Sequence, residues 1–394
     1  MSWPVVKLSD VATINPRPPR DVDESQQVTF VAMASASEDG YLLSSEARIL
    51  SETKKGFTYF DRNDVLLAKI TPCFENGKCL RPGQIPTEIG FGSTEFHVIR
   101  PDTERLDGLY LFYLVWNEQF RFLGEKSMSG AAGQKRVGSD FLKGFEMPLP
   151  PLPEQKRIAA ILDKADAIRR KRQQAIQLAD DFLSAVFLDM FGDPVTNPKG
   201  WNVVELSTLV DPDDKLNYGV VQPGDNEEDG VPLVRSGDLS DVTPDVSQLR
   251  RVSTSIDSKH RKSKLKGNEI LIACVGTIGR VGWVSEAMIG WNIARAVTRI
   301  PIREGVNREY VYRYLQNPVV QGYFERETRA VAQPTLNVGL IAKTPVALPP
   351  HDLQIAFLER YRTIQAYKER LLVALGAQDE LAGCLSQRAF AGQL

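Results

Sequence analysis

The densest group of side chains able to do chemistry is Lys259-His-Arg-Lys-Ser-Lys-Leu-Lys266, which holds five lysines or arginines in eight residues. Cationic side chains can neutralise phosphate groups, so this segment is suited to contacts with a nucleic-acid backbone. A solvated charged surface is the alternative interpretation of the same run. We take Arg261, Lys262 and Lys264 as candidate phosphate contacts.

A second candidate is the loop segment Gln134-Lys-Arg136, which stands opposite Gln333-Pro-Thr335 in the second half of the chain. Glutamine can pair with adenine, and arginine with guanine, in the major groove of DNA. We therefore add Gln134, Lys135, Arg136 and Gln333 to the candidate DNA contacts. Further cations occupy corresponding regions of the two halves and are weaker candidates: Lys69, Lys78, Arg280, Arg295 and Arg329.

Motifs for nucleotide or methyl-group chemistry are missing. Gly276-Thr-Ile-Gly-Arg-Val-Gly282 has the spacing GxxGxxG, which is neither the dinucleotide fingerprint nor a P-loop, so we interpret it as a glycine-rich turn. Asn15-Pro-Arg-Pro18 lacks the adjacent aromatic residue of an amino-methyltransferase motif. No nucleophile elbow surrounds any serine. We expect no catalytic residue, metal ligand or cofactor site in this chain.

A nuclease is the alternative that the residues leave open. Pro244-Asp245 followed by Asp257-Ser-Lys259 matches the loose pattern of two acidic metal ligands and a lysine. The match arises easily by chance in a charged sequence, and it occurs in one half of the chain only. A stand-alone nuclease predicts metal-dependent cleavage of DNA by the purified chain.

Bulk composition indicates an ordinary globular protein. The 394 residues, 42% of them hydrophobic, suffice for two domains of about 150 residues each. The four scattered cysteines and three histidines form no CxxC or HExxH pattern, so we expect reduced thiols. The absence of a long apolar run or signal-peptide pattern predicts a cytoplasmic protein without a membrane span. A net charge of −2 argues against a chain that holds nucleic acid alone through a strong positive field.

The chain contains the same module twice. One copy opens at Trp3-Pro-Val-Val-Lys-Leu-Ser9 and the other at Trp201-Asn-Val-Val-Glu-Leu-Ser207. Each copy reaches a proline-rich hinge, Leu149-Pro-Pro-Leu-Pro-Glu-Gln155 or Leu348-Pro-Pro-His-Asp-Leu-Gln354. The repeat predicts that each copy carries out the same kind of function.

Each copy contains a predicted strand and a predicted core segment. Tyr59-Phe-Asp-Arg-Asn-Asp-Val-Leu-Leu-Ala-Lys-Ile70 indicates a turn that leads into a strand, and the segment from Leu265 to Val275 answers it in the second copy. The aromatic segments at 109–116 and 309–315 are typical of helices or strands that pack a core. Stacking platforms for nucleic-acid bases are the alternative for these aromatic residues.

A long helix follows each hinge. Pro153 suits a first helical turn, and Gly192-Asp-Pro194 ends the run. Apolar residues recur every seven positions, and the second helix repeats the pattern at an offset of 199 residues. About 37 residues form a rod of roughly 55 Å. The two rods predict an intramolecular antiparallel coiled coil with this seam: Ile158, Ile161, Ala165, Ile168, Ala175, Phe182, Val186, Phe357, Ile364, Leu371, Leu381 and Leu385.

One polar residue interrupts the seam of each rod, Arg172 in the first and Gln378 in the second. Single polar seam residues can set the register and the choice of partner in a coiled coil. The alternative is that each rod is an amphipathic helix packed on its own domain.

The predicted fold class is α/β (α+β), with two globular domains in tandem, separated by the two long antiparallel helices in a pseudo-twofold arrangement. The predicted segments are a first domain at 1–147, a central helix at 148–192, a second domain at 193–347 and a C-terminal helix at 348–394. Two similar modules on two rods suggest a protein that measures two things at a fixed separation.

The whole chain resembles the specificity subunit of type I restriction-modification systems. The most specific parts are Pro148-Leu-Pro-Pro-Leu-Pro-Glu-Gln-Lys-Arg-Ile-Ala159 with the helix beyond it, and Asp64-Val-Leu-Leu-Ala-Lys-Ile-Thr-Pro-Cys-Phe-Glu-Asn-Gly-Lys78. These segments are similar to the family's helical regions and target recognition domains. The second hinge departs from the pattern because His351-Asp-Leu353 stands where the first has Leu152-Pro-Glu154.

The resemblance implies a non-catalytic DNA-binding subunit. Each target recognition domain would read one half of a split site in double-stranded DNA, and the paired helices would set the spacer between the halves. The helices would dock two modification (methyltransferase) subunits that bind S-adenosylmethionine, and restriction subunits that use ATP and Mg²⁺ would join. Two alternatives remain beside the nuclease: a subunit of a related modification-only or phage-defence system, and a coiled-coil scaffold that binds only protein.

Overall fold

A computed structural model describes residues 3–19, 22–131, 133–328 and 335–394. The chain divides into two compact units, one formed by Met1–Gln174 with Leu372–Leu394 and the other by Ala175–Leu371. This division cuts through both long helices. The four predicted segments, in contrast, separate the helices from the globular domains. Each unit therefore combines one globular module with half of each rod.

The first unit contains two four-stranded sheets. One has the strand order β2-β9-β6-β7, the other has the order β4-β3-β8-β5, and β1 pairs separately with β10. The elements of this module are β1 (Val5–Lys7), β2 (Ala12–Ile14), β3 (Gln27–Val31), β4 (Glu46–Ile49), α1 (Leu50–Thr53), β5 (Thr58–Asp61), β6 (Val65–Ala68), β7 (Cys79–Leu80), β8 (Ile89–Gly92), β9 (Phe96–Pro101), α2 (Gly108–Trp116), α3 (Glu118–Ser127), α4 (Ser139–Gly144) and β10 (Glu146–Pro148).

The second unit repeats this plan. It has sheets of order β12-β18-β15-β16 and β14-β13-β17, and β11 pairs with β19 as β1 does with β10. Its elements are β11 (Asn202–Glu205), β12 (Asn217–Tyr218), β13 (Val231–Val234), β14 (Arg251–Val252), α6 (Thr254–Lys259), β15 (Glu269–Ala273), β16 (Val281–Trp283), β17 (Asn292–Ile293), β18 (Val297–Pro301), α7 (Arg308–Gln316), α8 (Pro318–Thr328), α9 (Val338–Ala342) and β19 (Pro345–Leu348). The fold is therefore α/β (α+β) with two modules in tandem, as predicted.

The central strands β6 and β15 carry the two segments that the sequence predicted as strands. Every residue of both strands is buried, which explains why they read as continuous apolar runs instead of alternating ones. An acid directly before β6 and another at the first position of β15 each bind an arginine of the neighbouring strand. Asp64 accepts hydrogen bonds from Arg100 at 2.8 and 2.7 Å, and Glu269 accepts from Arg299 at 2.6 Å.

The aromatic segments form the core helices α2 and α7. The Asp107 side chain caps α2 by accepting from the Leu109 and Tyr110 amides, and Asn307 caps α7 by accepting from Tyr310. Tyr110 and Tyr310 are completely buried, and their hydroxyls donate to carbonyls of the strands that precede the rods. The segments therefore pack the two cores, as predicted.

The two rods are single helices of 40 residues, α5 (Leu152–Phe191) and α10 (His351–Phe390). Both begin directly after the hinge prolines, as predicted. An equivalent glutamine stabilises the first turn of each helix. Gln155 donates to the Pro150 carbonyl at 2.8 Å, and Gln354 donates to the Pro349 carbonyl at 2.9 Å. Gly192, with φ of +77°, follows the end of α5, where few other residues adopt such a conformation.

The helices pair antiparallel within each unit. In the first unit the Gln378 amide donates to the Ala165 carbonyl at 2.9 Å, and Arg172 donates to the Ala374 carbonyl at 2.7 Å. In the second unit the ring centroids of Phe187 and Phe357 lie 5.6 Å apart. Residue numbers on one helix fall as those on the other rise, which is the predicted antiparallel direction.

Each rod also ends in the core of a module. The Phe191 ring lies 5.4 Å from the Tyr310 ring in the second unit, and the Phe390 ring lies 5.4 Å from the Tyr110 ring in the first. The last turns of α5 thus help to build the module that follows it, and the last turns of α10 help to build the first module. This shared packing explains why the compact units divide the rods.

The predicted seam is correct only in part. Ile158 and Phe357 are buried, and the next seven are half-buried: Ile161, Ala165, Ala175, Val186, Ile364, Leu371 and Leu385. Burial does not support the other three, since Ile168, Phe182 and Leu381 keep 39%, 56% and 56% of their surface exposed.

The buried face of α5 differs from the predicted seam because the first module packs against this helix. Early in α5 the buried face includes Ala159, Leu162 and Asp166, which is one residue further along than the predicted seam. This face meets the first module, where the Tyr41 hydroxyl donates to Asp166 at 3.0 Å and the Tyr113 hydroxyl donates to Asp163 at 3.2 Å. Seven-residue periodicity identifies a buried face but not the partner that covers it.

The two polar interruptions of the seam bind each other. Arg172 donates to the Gln378 side-chain oxygen and to the Ala374 carbonyl, and Gln378 is 7% exposed. We expect Arg172→Ala to lower the free energy of unfolding of the first unit by about 1–3 kcal/mol, because it leaves a buried amide oxygen without its donor. Urea denaturation would measure this change. Lys171→Ala, at the exposed neighbouring position, should change it by less than about 0.5 kcal/mol; equal losses would contradict the role of the pair.

Neither rod, nor any shorter helix within the described ranges, contains a stretch long and apolar enough to cross a membrane.

Candidate nucleic-acid interface

The predicted contacts of the first module come together at the carboxyl end of β6. The Lys69 amide donates to the Glu95 carbonyl at 2.9 Å, and the Val137 amide donates to the Lys69 carbonyl at 2.9 Å. The Ala68 amide donates to the Lys78 carbonyl at 3.0 Å. Three chain segments thus meet at one strand end. We call this group the first strand-end cluster: Lys69, Lys78, Glu95, Gln134, Lys135 and Arg136.

The polar side chains of this cluster differ in exposure and in the partners that they already bind. The Gln134 and Lys135 side chains are exposed, whereas the Lys78 ammonium donates to the Met33 carbonyl at 3.3 Å. Arg136 binds Glu95 in a bidentate ion pair, with Nε and Nη2 at 2.9 and 2.8 Å from the two carboxylate oxygens. The candidate contact Arg136 is therefore already paired with an acidic side chain of its own module. Hydrogen bonds from Arg136 lower the pKa of Glu95, so the pair stays ionised at neutral pH.

Glu95 is a member that sequence reasoning missed. It precedes strand β9 and is 41 residues away from Arg136 along the chain. The sequence around Glu95 carries no signal that names Arg136 as its partner. A pairing over this distance depends on the sheet that brings both loops to the same strand end.

His97 braces the same cluster from inside the module. Its Nε2 donates to the Val137 carbonyl at 2.9 Å, and its Nδ1 accepts from the Asn15 side-chain amide at 3.1 Å. Both bonds require the neutral ring in a single tautomer. Burial lowers the pKa of His97, and the nearby Lys69 lowers it further.

Acidification is therefore expected to loosen the first strand-end cluster. The stability contributed by neutral His97 is present above the unfolded pKa of about 6.5 and is lost as pH falls from there towards the lowered folded pKa. Hydrogen exchange at the Lys69 and Val137 amides, corrected for the intrinsic pH dependence, should show protection falling between about pH 7 and 5.5. His97→Gln should remove that dependence, because glutamine does not titrate; an identical fall in both proteins would contradict the assignment.

The second module builds a matching site at the end of β15. The Cys274 amide donates to the Ala296 carbonyl at 2.8 Å, the Leu336 amide donates to the Cys274 carbonyl at 3.0 Å, and the Ala273 amide donates to the Arg280 carbonyl at 2.8 Å. These bonds correspond one for one with those around Lys69. Arg280 and Arg295 are exposed there and form the second strand-end cluster. The candidates Arg329 and Gln333 lie outside the described residues.

The glycine-rich segment at 276–282 shapes this second site. Gly276 and Gly279 have φ values of +81° and +82°, so they form the predicted turn between β15 and β16. A Cβ on Gly279 would lie 2.4 Å from the Gln321 side-chain oxygen, and Gln321 donates to the Gly279 carbonyl. The turn delivers Arg280 to the strand end, and it does not resemble a phosphate-binding loop.

The basic run lies apart from both clusters. The Lys262 carbonyl accepts from Asn217 at 2.6 Å and from Arg299 at 2.9 Å, and Arg299 pairs with the middle of β15. Arg261 and Lys262 expose their side chains. The candidate contact Lys264 is already paired, because its ammonium lies 2.7 Å from the buried Asp257 carboxylate.

The residues of the possible nuclease have structural partners. Asp257 is 5% exposed and accepts from the Asn292 side-chain amide at 2.9 Å in addition to its contact with Lys264. The Asp245 carboxylate accepts from the Ser247 amide at 2.9 Å. Among residues 3–19, 22–131, 133–328 and 335–394, no group of three or more His, Cys, Asp or Glu side chains is placed to hold a metal ion. The pattern in the sequence therefore finds no support in the geometry.

The cysteines are also unsuited to chemistry at these sites. All four are free, and Cys79 and Cys274 are buried. Burial raises the pKa of both thiols, that of Cys274 to about 11. The Cys274 sulfur lies 3.0 Å from the Thr298 hydroxyl, so it serves as a core residue behind the second cluster.

Known proteins match this chain over most of its length. The family model for the type I restriction modification DNA specificity domain matches residues 1–178 and 198–369. The type I restriction enzyme EcoBI specificity subunit of Escherichia coli is 32% identical over 288 residues, which are 66% of this chain and 60% of that subunit. The EcoEI specificity subunit of Escherichia coli is 39% identical over 164 residues, 41% of this chain and 27% of that subunit. The chain thus spans less than two thirds of these relatives.

A solved structure has the same fold. A chain from a structure concerned with complex assembly and conformational transition of the type I R-M system superimposes with a TM-score of 0.64 at 20% identity, covering 100% of this chain and 98% of the other. Tandem modules, long helices and the two-part family match agree with one another. This chain belongs to the family of type I restriction modification DNA specificity domains.

Proposed function

We propose that this chain is the DNA sequence-specificity subunit of a type I restriction-modification complex. Each module would read one half of a bipartite site in double-stranded DNA through its strand-end cluster. The observation that carries this proposal is the repeated construction at the ends of β6 and β15. The same backbone bonds present different side chains, Lys69, Gln134 and Lys135 in one module and Arg280 and Arg295 in the other.

Different side chains on one scaffold are what two different half-sites require. Side chains that reach base edges determine the sequence that is read, whereas phosphate contacts determine affinity and orientation. Glu95 neutralises Arg136 at the first strand end, and the whole chain carries a net charge of −2. Partner subunits would therefore supply much of the positive field around the duplex.

The rods would hold the two modules at a set spacing and dock two modification subunits. Methyl transfer from S-adenosylmethionine and the use of ATP and Mg²⁺ would belong to the modification and restriction subunits. Support for a non-catalytic role comes from the candidate nuclease residues, because Asp257 is already bound by Asn292 and Lys264.

Sequencing of methylated DNA from cells that express this chain with its modification subunits tests the proposal. The expected result is a bipartite motif with an unread gap. Exchange of residues 1–147 for the module of another family member should change one half of the motif and leave the other half unchanged. A single contiguous motif, or a change in both halves after the exchange, would contradict the proposal.

A further inference from the structure

The Arg136 guanidinium is held in one orientation by its neighbours. Nε and Nη2 donate to Glu95 at 2.9 and 2.8 Å, and Nη1 donates to the Gln134 carbonyl at 3.0 Å. A guanidinium has five N–H hydrogens, so two remain, one on Nη1 and one on Nη2. The Arg136 side chain keeps 41% of its surface exposed, which leaves these two donors available to a ligand.

The backbone on both sides of the ion pair is fixed as well. Arg136 exchanges two backbone hydrogen bonds with Ser129, at 2.9 and 3.1 Å, and forms a β-bridge with Ile70. The Glu95 carbonyl accepts from the Lys69 amide, and the Glu95 amide donates to the Ser93 hydroxyl at 3.2 Å. Neither partner of the ion pair lies on a free loop tip. The guanidinium is therefore presented on a rigid platform, which reduces the entropy lost on binding.

We propose that Glu95 is a positioning residue that makes Arg136 a reader of guanine instead of a phosphate contact. This inference rests on the proposed function of the first module. Two parallel N–H donors match the O6 and N7 acceptors of guanine in the major groove. The carboxylate also cancels much of the arginine charge, so the pair attracts the phosphate backbone weakly. Fixed donors with little net charge select a base edge over a generic anion.

The second module has no such pair at the corresponding positions. The residue whose carbonyl accepts from the strand-end amide is Glu95 in the first module and Ala296 in the second. The position of Arg136, directly before the residue that donates to the strand end, is occupied by Thr335. The guanine contact that we assign to Arg136 therefore belongs to the half-site of the first module.

A phosphate group offers the same paired acceptors as guanine, so the experiment must separate the two sources. The full chain is assembled with its modification subunits and offered a duplex library with both half-sites randomised, at several salt concentrations. For Arg136→Ala, discrimination at one G·C pair of the first half-site should fall by about 5- to 150-fold. Discrimination at the second half-site should stay as in the unchanged chain.

Glu95→Gln tests the inference by changing non-specific binding and base discrimination in opposite directions. The variant frees the charge of Arg136, so we expect binding to random DNA to strengthen and the slope of log K against log salt to steepen by up to about 0.9, as for one added phosphate contact. Discrimination at the same G·C pair should fall by at least about fivefold. Damage to the fold would weaken both kinds of binding and lower the melting temperature, which is measured in parallel.

Lys135→Ala is the matched control, because Lys135 is an exposed cation of the same cluster. It should weaken binding equally for all sequences and reduce the salt slope by about 0.9. If Arg136→Ala behaves like Lys135→Ala, Arg136 is a phosphate contact and the inference is wrong. If Glu95→Gln leaves discrimination intact, Glu95 does not position Arg136. If the unchanged complex selects no sequence, the proposed function itself fails.

Discussion

Replacement of Arg299 by methionine is expected to lower the free energy of unfolding of the second unit by about 3–5 kcal/mol. The Arg299 side chain is completely buried between two acids. Its Nη2 lies 2.6 Å from Glu269 Oε1, and its two Nη atoms donate to Asp214 at 2.7 and 2.6 Å. Methionine would fill the space but leave the fully buried Glu269 carboxylate without its cation.

The pH dependence of this effect has a definite sign. Burial opposes ionisation of Asp214, but hydrogen bonds from Arg299 and Lys266 outweigh it and lower the pKa of the carboxyl group. The stability this provides is present above the unfolded pKa of about 3.9 and is lost as pH falls through the folded pKa. In the Arg299→Met variant, protonation of Asp214 can relieve its unpaired charge. The difference between variant and unchanged chain should therefore shrink in acid.

Urea denaturation at pH 7 and pH 4.5 would measure these effects, and hydrogen exchange would assign them to β15 and β18. The matched variant is Arg100→Met in the first unit, where the arginine binds Asp64 but its side chain is 30% exposed. Water can partly replace that arginine, so a smaller loss of about 1–3 kcal/mol is expected. Losses of the same size at both sites would show that burial of the arginine does not determine how much unfolding free energy is lost.

Insertion of seven residues into both rods is expected to lengthen the unread spacer by about three base pairs and to leave both half-sites unchanged. The insertions would follow Gln174 in α5 and Leu371 in α10, where the compact units divide. Seven helical residues add about 10.5 Å, which is roughly three steps of 3.4 Å along DNA. A seven-residue insertion also preserves the buried faces within about 20°.

Sequencing of methylated DNA would give the new spacer directly. An insertion in α5 alone is the control, because it cannot keep Ala165 opposite Gln378 and also Asp180 opposite Lys368, which now lie 2.9 and 2.5 Å apart. We expect that single insertion to abolish methylation of the site. An unchanged gap after insertion in both rods would disprove the idea that the rods measure the spacer.

Much of the fold could be predicted because its signals are local. Prolines before Gln155 and Gln354 mark the starts of the rods, and Gly192 marks the end of the first. The two central strand segments, 59–70 and 265–275, were visible as a repeat, although the arginine partners of Asp64 and Glu269 were not. Such features depend on backbone preference and side-chain spacing within a few residues.

The candidate site was predictable only as separate fragments. Lys69 and Gln134-Lys-Arg136 were selected for their chemistry, but their meeting depends on Val137 pairing with the end of β6. Glu95 escaped notice because its role exists only after that pairing. The ion pair of Lys264 escaped notice for the same reason, since its acidic partner Asp257 becomes its neighbour through the fold.

The sequence by itself determined that two copies of one module are joined by two long helices, because repetition, hinge prolines and apolar periodicity are written along the chain. The tertiary structure alone decided which face of each helix is buried and which cations are free. The module core turns the buried face of α5 towards Leu162 and Asp166, and Glu95 takes up the charge of Arg136. Burial and ion pairing depend on distances between groups far apart in the chain, and only the packed sheets set those distances.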